Sequence, residues 1–152
     1  MKSSNVDVLI IGAGPAGLSA AIELKKSGVA NVRVVEREKY AGGIPRHSHH
    51  PGYGIRDLKR FLSGPKYAKY YLDKAKQLGV EVSTTTTATD WVDKNTIKLT
   101  SPSGLEQVSA KAIVLATGAR ERGRSARAVA GKRPTGIYTT GSLQQATYSS
   151  VS

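Results

Sequence analysis

Apolar residues run without a break from Val8 to Ile11, inside the β-rich stretch Val6-Asp7-Val8-Leu9-Ile10-Ile11. That is the pattern of a parallel strand buried on both faces. After a short glycine-rich gap, Leu18, Ala21, Ile22 and Leu24 recur at helical spacing. Lys25, Lys26, Ser27 and Gly28 follow, with cations in the last turn and a glycine just beyond it as stop signals. Asn31 to Glu36 reads as a second strand, which completes a βαβ unit with a short, right-handed crossover.

Residues 37–64 are irregular and rich in Gly, Pro and His, and a loop that long in a compact domain is usually functional or disordered. Pro65 to Leu78 predicts an amphipathic helix, with Tyr67, Tyr70, Tyr71, Ala75 and Leu78 along one broad core face. Glu81–Trp91, Thr96–Thr100 and Leu105–Ser109 read as three strands of an antiparallel meander, and Thr84–Thr87 as plain strand sequence within the first. Asp93-Lys94-Asn95 and Ser101-Pro102-Ser103-Gly104 supply the turns. Ala112 to Thr117 is one more buried strand, ending at Gly118. Residues 119–152 show weak periodicity, no repeat and no second glycine fingerprint, so the chain is expected to stop before a further domain closes.

The strand-to-helix junction is Gly12-Ala13-Gly14-Pro15-Ala16-Gly17. A Gly-x-Gly-x-x-Gly motif between a buried strand and a helix has a mechanism. Gly12 allows the tight turn, Gly14 lets backbone approach a pyrophosphate, and Gly17 lets the helix pack on the strand. The helix N-terminus then offers N–H groups to phosphate, and Pro15 in the first turn loses no hydrogen bond. Glu36 stands 19 positions beyond Gly17, where a carboxylate can hold both ribose hydroxyls of a dinucleotide. Arg37 beside it has three readings: a surface ion pair, stacking near the adenine, or a 2′-phosphate contact that Glu36 argues against.

Composition narrows the chemistry. The 152 residues, 39% hydrophobic and 22% charged, suit one folded domain. No apolar run is long enough for a membrane span, and no signal-peptide anatomy precedes the first strand, so a cytoplasmic location is the default. The chain has no cysteine, so none of its residues can supply a disulfide, a thiolate nucleophile or a Cys-ligated metal. Its net charge of +12 favours a polyanionic ligand, surface or partner without choosing among them. The basic stretch from Arg120 to Arg133 lacks interleaved aromatics, which points to a solvated or partner-docking surface and away from nucleic acid. His47-Ser48-His49-His50 has no acidic neighbour to complete a metal site and reads as a polar loop, with no metal expected.

Val8 to Ala21 resembles the opening of FAD-binding domains in two-dinucleotide-domain flavoproteins. Ala112-Ile113-Val114-Leu115-Ala116-Thr117-Gly118-Ala119 is similar to their second signature, a strand ending in Ala-Thr-Gly near the flavin, and the meander lies where that family has one. Gly42-Gly43-Ile44-Pro45-Arg46-His47, the stretch Gly52 to Tyr67, Arg120-Glu121-Arg122 and Thr139 to Gln145 carry a narrower resemblance. They resemble the FAD- and nucleotide-binding subunits of amine and opine dehydrogenases, among them proline and hydroxyproline dehydrogenases, octopine and nopaline oxidases, sarcosine oxidase and hydrogen cyanide synthase. The resemblance implies an α/β, Rossmann-like, three-layer FAD-binding domain over residues 1–118, with a parallel sheet and a β-meander. Residues 119–152 would be a basic extension towards an absent second nucleotide domain.

By position, Gly12, Gly14, Pro15, Ala16 and Gly17 would hold the FAD pyrophosphate, Glu36 the ribose, and Arg37 would lie near the adenosine. Gly42, Gly43 and Ile44 would pass the pyrophosphate or flavin, Thr87 would meet the adenine, and Thr117 and Gly118 would lie beside the cofactor. NAD(P) would be the second nucleotide of the complete enzyme, and a second subunit or the missing half the partner. The redox-active cysteine pair of disulfide reductases is absent. No catalytic side chain is named, because the flavin carries the redox chemistry. The alternatives are a non-catalytic nucleotide-binding module that needs a partner chain, and an NAD-binding Rossmann protein, the second opposed by the meander.

Overall fold

The computed structural model describes residues 1–132 and 134–149; Arg133 and the terminal residues 150–152 lie outside the described residues. The described residues fall into two compact units that divide at Gly118.

In the first unit the chain runs β1 (Lys2–Ile11), α1 (Pro15–Lys26), β2 (Val32–Val35), a 3-10 turn (Ile44–His47), β3 (Pro51–Tyr53), β4 (Leu62–Ser63) and α2 (Gly64–Gln77). It continues through β5 (Glu81–Ser83), β6 (Thr87–Asp93), β7 (Thr96–Ser101) and β8 (Gly104–Leu115). One six-stranded sheet has the order β5-β2-β1-β8-β7-β6, and β3 pairs separately with β4. The β5-β2-β1-β8 part is parallel, whereas β7 runs antiparallel to both β8 and β6.

Alternation along β1 explains the layers. Val8 and Ile10 face one cluster with Leu18, Ala21 and Ile22 of α1 and Ala75 of α2. Leu9 faces a second cluster with Val35, Ile97, Leu99 and Val108. β1 is therefore buried on both faces, by helices on one side and by the meander on the other. Val35 and Leu99 lie three strands apart in the sheet order yet share a cluster, so the sheet must coil over itself. The connection says the same. Only residues 84–86 separate β5 from β6, the two edges of the sheet. At most about 3.5 Å per extended residue brings those edges within roughly 14 Å.

Three sequence expectations need correction. Glu81–Trp91 is two strands at opposite edges, and Thr84–Thr87 is a turn up to Thr86. Strand propensity loses there to tertiary ties: Thr85 N–H donates to Glu38 O (2.9 Å) and Thr86 N–H to Glu36 O (2.8 Å). Leu105–Ser109 and Ala112–Thr117 are one strand, β8, whose ladder with β1 continues from Glu106 to Leu115. The interruption read at Ala110-Lys111 is bridged instead, with Lys111 Nζ 2.7 Å from the Asp7 carboxylate on β1. The tyrosines of α2 are half-buried at a rim, while Gly64, Ala68 and Ala75 form the buried stripe. Tyr67 and Tyr71 both donate their hydroxyls to Asp57, at 2.7 and 2.6 Å, because a hydroxyl leaving water needs a partner.

The second unit holds a 3-10 turn (Ser125–Arg127) and α3 (Thr140–Ser149), which the sequence pattern did not predict. Glu121 organises it, taking the Gly141 N–H at the start of α3 on one oxygen (2.8 Å) and Arg127 on the other (3.1 Å).

At the N-terminal end of the sheet Arg33 ties four strands. Its guanidinium meets Glu106 on β8 with two bonds (2.8 and 3.0 Å) and Glu81 on β5 (2.9 Å), while Ser4 on β1 donates to Glu106 (2.6 Å). The Arg33 hydrogen bond, then that of Ser4, holds the Glu106 carboxyl below its ordinary value of 4.5 against its burial. A lowered folded-state pKa stabilises fully above the ordinary value and is lost as pH falls through the lowered one. Urea unfolding from pH 7 downwards should show the stability gap between wild type and Glu106→Gln narrowing below about pH 4.5. A gap constant with pH would remove the charge from the explanation.

Candidate functional site

The site lies at the C-terminal ends of β1, β2 and β8, the usual position of a ligand crevice in an open α/β sheet. Its shape follows from three backbone approaches. Gly12 has φ +109°, and a β-carbon there would come 2.3 Å from Ala116 O at the end of β8. A β-carbon on Gly17 would come 2.0 Å from Gly12 O. Both positions are glycine because backbone fills the space. Gly14 differs: it has ordinary φ of −76°, and its β-carbon would meet nothing nearer than Gly43 Cα at 3.9 Å. The space beside Gly14 is open, a cradle that a side chain would fill.

Gly14 is the N-cap of α1, with no side-chain cap and no acid in the first turn. That helix end therefore presents its N–H groups and positive dipole end with no side-chain cap among the described residues. Gly42 and Gly43 form the opposite wall. Gly42 N–H donates to Ala13 O (2.7 Å), and a β-carbon on Gly43 would come 2.9 Å from Gly14 Cα.

Glu36 is buried, at 9% exposure, directly behind this loop. Its carboxylate accepts from Ala13 N–H and Glu38 N–H, both at 3.0 Å. The carboxylate thus stands between the glycine loop and the turn after β2. Thr86 N–H on Glu36 O brings residues 84–87 to the same place, so Thr87, exposed at the start of β6, follows directly. Arg37 is exposed and lies 3.7 Å from Glu38. Ile44 is 61% exposed, and Thr117 and Gly118 are exposed just beyond the Gly12–Ala116 approach. The fold therefore gathers Gly12, Gly14, Pro15, Ala16, Gly17, Glu36, Gly42 and Gly43 around one crevice. The cradle beside Gly14 is open and uncapped, with space for a group that accepts hydrogen bonds, and the Glu36 carboxylate stands behind it.

Sequence reasoning passed over Thr85, which has φ +51°, a left-handed conformation that a β-branched residue adopts only when held there. Its N–H on Glu38 O is the constraint. Among the described residues no group of three or more His, Cys, Asp or Glu comes together that could hold a metal ion. His47 has its pKa lowered, first by burial and then by the Arg46 charge. His50 packs on Tyr53 at the end of a row of rings that includes Tyr67 and Tyr71. Among the described residues no helix is long and apolar enough to cross a membrane.

Residues 6–149 match the pyridine nucleotide-disulphide oxidoreductase family. The chain belongs to that family. Its fold is the family's Rossmann-like nucleotide-binding domain, and the family relationship makes FAD its cofactor. One of the opine oxidase subunits of Agrobacterium tumefaciens (strain Ach5) is 34% identical over 153 residues, spanning 91% of this chain and 28% of that protein. Thioredoxin reductase of Ureaplasma parvum serovar 3 is 35% identical over 127 residues, spanning 80% and 38%. The solved structure of L-proline dehydrogenase from P. horikoshii superposes with a TM-score of 0.65 at 26% identity, covering 77% of this chain and 23% of that one. The chain thus spans less than two-fifths of the length of each of these relatives.

Two outcomes follow from the crevice. Gly14→Ala should melt within a few degrees of wild type, whereas Gly12→Ala, meeting backbone at 2.3 Å, should fail to fold or lose several kcal/mol. Calorimetry of the two variants side by side checks the contrast; equal losses would mean that the cradle is not open. Thr85→Gly should raise stability by about 1 kcal/mol by relieving the left-handed residue, as read from urea midpoints.

Proposed function

We propose that this chain is the FAD-binding part of a flavin-dependent oxidoreductase of the amine, opine or amino-acid dehydrogenase type. The observation that carries the proposal is the open, uncapped Gly14 cradle with the Glu36 carboxylate behind it. When bound, FAD would supply the redox chemistry, taking two electrons and a proton as hydride from the carbon of a substrate C–N bond. The residues of the crevice hold and orient. Gly12 and Gly17 set the helix against the strand ends, Ala16 and Gly17 present N–H groups to the diphosphate, and Gly14 leaves it room. Glu36 would take the adenosine ribose, Arg37 and Thr87 the adenine side, and Gly42, Gly43, Ile44, Thr117 and Gly118 the flavin side. The likeness to the opine oxidase protein over 91% of the chain supports the amine or opine side of the family. The lack of any cysteine separates this chain's own chemistry from thiol exchange. We place the protein in the cytoplasm on the same reading.

A partner is part of the proposal. From Lys111 to Leu115, β8 pairs with β1 alone, since its ladder to β7 ends at Ser109. Leu115 on that open edge is 65% exposed. An unpaired edge with apolar side chains fits a further strand from a partner chain or from the rest of a longer protein. In a second reading, favoured by the short span against its relatives, the chain binds nucleotide without catalysing anything alone.

The test is an absorbance spectrum of the purified chain after incubation with FAD and removal of the excess. Retained flavin bands are expected, with Glu36→Ala weakening binding about tenfold or more through the lost charged hydrogen bonds. A colourless wild-type chain would overturn stand-alone binding.

A further inference from the structure

The glycine wall of the crevice carries a cation for which the described residues supply no hydrogen-bonded anion. Arg46 lies on the 3-10 turn that follows Gly43, and its N–H donates to Gly43 O (3.2 Å), which fixes it to the second glycine loop. Its stem lies against Gly42, where a β-carbon would come 3.0 Å from Arg46 Cγ and 3.2 Å from Cδ. Gly42 is in turn bonded to Ala13 of the first loop. The guanidinium Nε is closed off from solvent and has no hydrogen-bond partner among the described residues.

The other partly buried arginine of this unit is treated differently: Arg33 has three bonds to two carboxylates. The acids nearest in sequence to Arg46 are already engaged. Glu36 holds two backbone N–H groups, and Glu38 faces Arg37. Burial and the Arg46 charge hold His47 towards its neutral form against the pull of Glu38, and the first turn of α1 has no acid. A buried N–H without a partner is costly, and a guanidinium with no ion pair among the described residues keeps its outer N–H groups for an anion's oxygens.

We propose that Arg46 is a cofactor-binding residue, its guanidinium supplying the counter-charge to the diphosphate of FAD. The inference rests on the FAD reading above and adds to it a residue outside the glycine motif. Backbone N–H groups bring only partial charges to a dianionic diphosphate, whereas Arg46 brings a full one from the facing loop.

Isothermal titration of the full chain with ADP, FAD and adenosine tests this. ADP carries the diphosphate without the flavin, and adenosine carries neither. Arg46→Met keeps the stem packing and removes the charge. It should bind ADP and FAD about tenfold or more weakly than wild type and adenosine equally well. Arg46→Lys, which keeps the charge, should stay within about threefold, with far-UV circular dichroism showing the fold retained in both. Arg46→Met binding ADP within twofold of wild type would overturn the inference alone. So would an equal loss for adenosine, which marks a collapsed crevice. A wild-type chain that binds neither ADP nor FAD would overturn the FAD reading, and this inference with it.

Discussion

The structure depends on the close approach of backbones at Gly12. Gly12 N–H donates to Val35 O on β2 (2.8 Å), and Ala116 N–H donates to Ile11 O beside it (2.8 Å), so three strand ends converge there. Gly17 then presses α1 onto the same turn, against Gly12 O. With strands and helix start this close, Ala13 is buried completely and its peptide groups must be satisfied locally. Glu36 takes its N–H, and Gly42 donates to its carbonyl. The Glu36 carboxylate and the second glycine loop are therefore placed by the hydrogen-bonding needs of one buried residue. That couples fold and site: the contacts that close the core on this side also build the crevice.

What could be read in advance follows from how local each signal is. The β1-α1-β2 unit, the close packing at Gly12 and Gly17 and the place of Glu36 beside the glycine loop were legible because strand, turn, helix and acid fall within thirty-six consecutive residues. The meander was legible from its turns. The division of Glu81–Trp91 was not, because four consecutive threonines favour a strand and nothing local reports that Glu36 and Glu38 will take their N–H groups. The continuity of β8 was hidden in a similar way. Ala110-Lys111 looks like a break until Asp7, more than a hundred residues earlier, proves to face it across the ladder. Arg46 was visible only as part of a motif. That its Nε is buried without a partner is a fact of packing, and no spacing rule reports it.

Charge makes a further point. The chain has 11 acids against 23 Lys and Arg. Three of the acids are engaged by groups other than cations: Glu36 by backbone N–H groups, Asp57 by two tyrosines and Asp93 by Asn95 N–H. Most of the rest already pair with Lys or Arg. The excess of positive charge is therefore left without internal neutralisation. A bound FAD brings only two phosphate charges, a small part of +12. If a partner surface supplies the remainder, its acidic character follows from this imbalance.

The open edge of β8 gives that partner a second requirement. A parallel sheet is stable when both faces and both neighbours of its central strands are covered, and here β8 is central to the coiled sheet but half-paired beyond Ser109. The exposed edge lies on the strand whose end, at Ala116, also closes over Gly12. A strand added along Lys111–Leu115 would stiffen the wall against which the glycine turn is formed. Cofactor binding and partner binding would then reinforce one another, because each orders a segment that the other needs. On the proposed reading, the chain would make the cradle alone and would hold its cofactor more tightly with its sheet completed.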